Sequence, residues 1–164
     1  MNIDYFRKLF DYNYWAHQRV WDCAMQLNDE QFTRPWDYSI GSVHQQIAHT
    51  IGAEWAWLQR MNGVSPETIP GAFDYPTRDI MRTTWDKVEA EWHSYLDALT
   101  DDDLNTTKTY ISVTLREQRQ NHLWLTLSHV INHSTDHRAQ TLARVHQVGG
   151  PTIAQDLIFY SWEV

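Results

Sequence analysis

Apolar positions recur at intervals of three and four over most of the chain, the pattern of helices with one buried face. Phe6, Leu9, Phe10, Asn13, Ala16, Val20, Cys23, Ala24 and Leu27 mark a first helix from about Asp4 to Leu27. A second begins near Ser42, which with Gln45 has the spacing of a capping box, and ends before Gly63. Its inward face is Val43, Ile47, Ile51, Glu54 or Trp55, and Leu58. A third follows Pro76 with Thr77 as its cap and carries Ile80, Met81, Trp85, Val88, Trp92, Tyr95, Leu96 and Leu99. The period then changes to two: Thr107, Thr109, Ile111, Val113 and Leu115 alternate with other residues, predicting a short strand or hairpin. A fourth long helix is expected from about Gln118 to Val148, stopped by Gly149, Gly150 and Pro151, with a short last helix over Asp156 to Trp162. The expected fold is all-α, a four-helix bundle with a strand or hairpin before the last long helix, in a single domain spanning 1–164.

Composition narrows the function more than the fold. The 164 residues carry a net charge of −8, which disfavours nucleic acid and anionic membranes as partners. No stretch approaches the ~20 apolar residues of a membrane span, and the first residues show no signal-peptide pattern. The one cysteine, Cys23, lies on the apolar stripe of the first helix, where a buried, unreactive thiol is the common case. A cytoplasmic protein is the expectation. Nine histidines and nine tryptophans stand out. Tryptophans at helical spacing (Trp15, Trp55, Trp57, Trp85, Trp92, Trp124) suit a core or an interface.

The histidines carry the candidate chemistry. His129, His133 and His137 follow one another at four-residue spacing beside Leu127, Val130, Ile131, Ser134 and Thr141, and so line a strip at the edge of the buried face. Two imidazoles at that spacing can share one metal ion. A third ligand must come from another helix. His49 lies on the inward side of the second, with His44 as its rival and His129 as the rival within the fourth. Three imidazoles leave coordination positions open, as a catalytic centre requires. His17, His93, His122 and His146 read as surface or hydrogen-bonded core residues. Asn132, Asp136 and Gln140 are the candidates to accept the ligands' second N–H. Arg138 suits either a substrate carboxylate or a surface ion pair, and Glu54 either the metal's vicinity or a pair with Arg60 or another cation.

The segments Phe10 to Ala16, Ser39 to His49, Ala53 to Arg60 and His129 to Gln140, in that order, resemble the DinB family of the DinB/YfiT-like metalloenzyme superfamily. (The damage-inducible name is shared with an unrelated DNA polymerase.) The resemblance implies an up-down-down-up four-helix bundle, a homodimer, and one divalent metal ion per chain, nickel or zinc, on His49, His133 and His137. It also implies a metal-dependent enzyme, with relatives that use a low-molecular-weight thiol to transfer sulfur to small electrophilic substrates. Ala139 stands where the family often has glycine and His17 where it often has asparagine. The competing expectations are a non-catalytic metal-binding protein and a dimeric interaction module built on tryptophan-rich faces.

Overall fold

The computed structural model describes residues 2–164. Four long helices dominate it: α1 (Ile3–Ala24), α3 (Val43–Met61), α4 (Arg78–Asp97) and α5 (Leu123–Gln147), with α2 (Asp29–Thr33) and α6 (Leu157–Glu163) as short additions. Helix α1 packs on α4 and α5, and α3 packs on the same two, so the contacts close a ring around a common core. That core holds Phe6, Phe10, Ile47, Ile51, Leu58, Met81, Trp85, Trp92, Leu123 and Leu127. Trp85 and Trp92 are fully buried there, which removes them from any interaction face. No helix among the described residues is long and apolar enough to cross a membrane.

The caps follow from local chemistry. Ser42 Oγ accepts the Gln45 N–H while the Gln45 side chain accepts the Ser42 N–H, closing the expected capping box of α3. Thr77 caps α4. Helix α5 ends in a Schellman turn, Gly149 N–H donating to His146 and Gly150 N–H to Val145, with Gly149 at φ +87°. Gly52 is needed for a different reason: the Pro70 carbonyl lies where a Cβ would sit, so the loop after α3 rests directly on the helix backbone.

Two elements differ from expectation. Gln118–His122, expected as helix, is strand β2, paired antiparallel with β1 (Thr107–Ile111) from Thr107 opposite His122 to Ile111 opposite Gln118. Its five residues offer no apolar face, so the ladder with β1, not burial, decides the conformation. Val113 and Leu115 lie in the hairpin turn and not in a strand. Helix α2 was not expected; five residues are too few to show a period, yet the Asn28–Gln31 capping box and buried Phe32 hold it.

Candidate metal centre

Helix α3 carries two stripes that serve different ends. Ile47, Ile51, Glu54 and Leu58 repeat at four, three and four and face the core, while Gln46, His49, Ala53, Trp57 and Arg60 repeat at three, four, four and three along its flank. Helix α5 is built the same way. Leu127, Val130, Ser134, Arg138, Thr141 and Val145 are buried, and His129, His133 and His137 stand one residue before Val130, Ser134 and Arg138 respectively. Because α3 packs on α5, core stripe meets core stripe and flank meets flank.

Where the flanks meet, the structure brings His49, His133 and His137 together. One ring nitrogen from each lies within 4.8 Å of the others. His49 Nε2 faces His133 Nε2 at 3.3 Å, and the His137 ring packs 4.5 Å from His49 and 4.4 Å from His133. His137 Nδ1–H donates to Gln46 Oε1 at 2.9 Å, and the Gln46 amide N–H donates onward to Gln140 Oε1. Gln46 thereby leaves Nε2 of His137 as a bare lone pair.

Burial lowers all three imidazole pKa values. His49 is pulled to about 4 by desolvation and then by the neighbouring His137 charge. His133 is pulled to about 4 by desolvation and by His137, His49 and His129, and His137 is lowered by desolvation against an opposing Asp136. At neutral pH the three are uncharged. Two neutral imidazoles with nitrogens 3.3 Å apart need a proton or a cation between them, since facing lone pairs repel. The donor set therefore fits a divalent cation with positions to spare, and these three residues could hold one.

The rivals are placed elsewhere. His44 bonds the Tyr75 carbonyl at 2.7 Å and stacks on Phe32. His129 packs edge-on against Trp57, outside the group of three. Asn132 and Asp136 are exposed and bond to none of the ligands. Gln140 reaches them only through Gln46, the residue sequence reasoning missed, although its place three residues before His49 put it on the same stripe. Ala139 is exposed and touches no packing face, so the glycine often found there has no packing consequence in this chain.

The centre opens on a cleft of about 440 Å³ whose walls include His49, His133, Trp57, Arg60, Tyr110 and Leu115. The β1–β2 hairpin forms its roof, with Tyr110 against Trp57 at 5.1 Å and the Ile111 N–H tied to Ser65 Oγ. Cys23 is buried, and desolvation followed by the Asp22 charge raises its thiol pKa against an opposing Arg19.

One turn away, where the core stripes meet, lies a cluster of the opposite character. The fully buried Glu54 carboxylate accepts from Asn13 (3.0 Å), His17 Nε2–H (2.7 Å), Ser134 (2.7 Å) and Trp85 (3.1 Å), and its backbone carbonyl accepts from Trp92. Asn13 Oδ1 in turn accepts from Arg138, so one amide bridges the anion and the cation. Desolvation pushes the Glu54 carboxyl up, but His17 and these hydrogen bonds outweigh it and hold the group well below the carboxylate range. Desolvation lowers His17 to about 4, and its Nδ1 has no partner, as a neutral Nε2–H tautomer allows. Glu54 thus pairs with neither Arg60 nor a metal, and Arg138 is neither a surface ion pair nor open to a substrate.

A family model described as DinB family matches residues 1–163. Among solved structures, the crystal structure of a DinB-like protein from Bacillus cereus ATCC 10987 is similar in fold, with a TM-score of 0.70 at 19% identity over 93% of this chain and 97% of that one. No curated protein matches the sequence.

Proposed function

The chain belongs to the DinB family, and we propose that it is a metal-dependent enzyme holding one divalent ion, nickel or zinc, on His49, His133 and His137. The observation that carries this is the convergence of three uncharged imidazoles, two nitrogen to nitrogen at 3.3 Å, at the floor of an open cleft. The ring of four long helices is read as the up-down-down-up bundle of the family.

The proposed reaction is transfer of a low-molecular-weight thiol to a small electrophile: the sulfur–carbon bond forms, the leaving group departs with its electron pair, and the thiol proton is released. A bound divalent ion supplies Lewis-acid polarisation and lowers the pKa of a coordinated thiol. The chain's own residues do the rest. Gln46 fixes the His137 tautomer, Trp57 and Tyr110 wall the cleft with apolar surface, and the hairpin roof limits water. The nucleophile comes from outside the chain, because Cys23 is buried among core side chains. The proposal includes a cytoplasmic homodimer, which sedimentation at micromolar concentration tests.

Thiol consumption is the test. Protein reconstituted with zinc or nickel is expected to accelerate loss of a thiol in the presence of a small alkylating electrophile, and His137→Ala to abolish the acceleration. Tight metal binding without any thiol consumption, over a panel of thiols, would instead make this a non-catalytic metal-binding protein.

A further inference from the structure

Arg60 is the one buried arginine that the metal centre and the Glu54 cluster leave unexplained. Arg138 donates to Gln155, Asn13 and Thr135, and Arg144 to Gln147 and to the carbonyls of Arg34 and Pro35. Arg60, 6% exposed, donates to no acceptor among the described residues, and its Nε is fully enclosed without a partner. The guanidinium carbon lies over both rings of an edge-on aromatic pair, 4.4 Å from the Trp57 centroid and 5.3 Å from that of Tyr110. Such stacking orients the fork but leaves the enclosed Nε–H unsatisfied, and an unsatisfied buried donor is costly.

The same side chain lines the cleft over His49 and His133. Its only charged companion in the lining is Arg119, which is already paired with Glu117 at 2.6 Å, and no carboxylate lines the cleft. In a chain of net charge −8 this is a local inversion of sign. Eleven residues separate His49 from Arg60, roughly 16 Å of helix.

We infer that Arg60 is the anchor for a carboxylate on the small molecule that enters the cleft, and so selects elongated monoanionic substrates whose carboxylate lies several bonds from the end facing His49 and His133. A planar fork with no competing acceptor matches a carboxylate in geometry, and one free positive charge matches a monoanion and not a phosphate dianion. The inference rests on the cleft being the substrate site of the proposed enzyme, but the anchor itself is built by the chain without the metal.

Binding of 4-phenylbutyrate and of its neutral isostere 4-phenylbutyramide tests it, by calorimetry and by the arginine Nε–H resonances, on zinc-loaded and metal-free protein. The carboxylate is expected to bind at least about tenfold more tightly than the amide in both forms, with a shift of the Arg60 Nε–H signal. Arg60→Met, which keeps the aromatic stack filled, is expected to erase that preference while zinc content and melting temperature stay near wild type; Arg119→Met is expected to keep it. Arg60→Lys, with charge but no fork, falls between. Equal affinity for the two probes in wild-type protein, or a preference that survives Arg60→Met, would overturn the anchor. Zinc content of the same samples reports separately on the metal: no zinc uptake with an intact carboxylate preference would remove the enzyme reading and leave the anion site standing.

Discussion

Helices α3 and α5 carry two polar clusters about one turn apart, and the two are opposite in kind. Around Glu54 almost every donor and acceptor is matched, the charges are bridged through Asn13, and nothing faces a cavity. Around His49, His133 and His137 two ring nitrogens face each other at 3.3 Å with no oxygen acceptor between them, and beside them the enclosed Arg60 Nε has no acceptor among the described residues. Saturated polar groups fix a packing arrangement; unsaturated ones in a cleft are available to a ligand. The difference separates what holds this fold from what it offers to other molecules.

Breaking the saturated cluster should give the largest change in stability. Glu54→Ala leaves the Arg138 cation and four donors uncompensated, and is expected to cost about 3–5 kcal/mol in denaturant unfolding. Part of the pH dependence has the same origin, the rest coming from the lowered imidazoles of His49 and His133. His17 titrates near 6.5 unfolded but only near 4 folded, so below pH 6.5 the unfolded chain takes up a proton that the folded chain refuses. Stability therefore falls as pH drops from 6.5 towards 4, by on the order of 3 kcal/mol for this group alone. Glu54, depressed below its unfolded value, adds a further loss below pH 4.5. His17→Asn should flatten the limb between pH 6.5 and 4 relative to wild type, as followed by unfolding midpoints.

The unsaturated cluster should respond in the other way. His133→Ala is expected to leave metal-free stability within about 1 kcal/mol but to remove the metal-dependent gain, which for wild type is about 2.7 kcal/mol at metal a hundredfold above Kd. Gln46→Leu, which frees the His137 ring, should weaken metal binding about 10- to 100-fold in a competition titration without loss of fold. His93→Ala, half-buried on α4 beside Tyr14 and away from the three ligands, should change metal binding by no more than about 0.5 kcal/mol. A large metal effect at His93, or none at Gln46, would erase the distinction between the clusters.

The four long helices were legible because each buries a stripe at intervals of three and four, and burial imposes that period. Strand β2 was not, because Gln118–His122 owes its conformation to pairing with a strand some ten residues earlier. At the centre, four-residue spacing pointed to the fourth-helix histidines, and the inward side of the second helix with the family resemblance pointed to His49; what the sequence did not show is the Tyr75 carbonyl that occupies His44, a contact between distant segments. Glu54 and Arg60 were expected as a possible pair, yet residues six apart lie on different faces of a helix. Asn13 and His17 reach Glu54 only because α1 lies beside α3 at that level.

Elemental analysis of protein purified without a tag or nickel resin, beside His49→Ala, His133→Ala and His137→Ala, tests the central claim most directly. The account predicts one nickel, zinc or similar divalent ion per wild-type chain and a loss of it in each of the three variants. A wild-type chain that neither retains nor takes up a divalent metal, or one whose metal content is unchanged in all three variants, would contradict it.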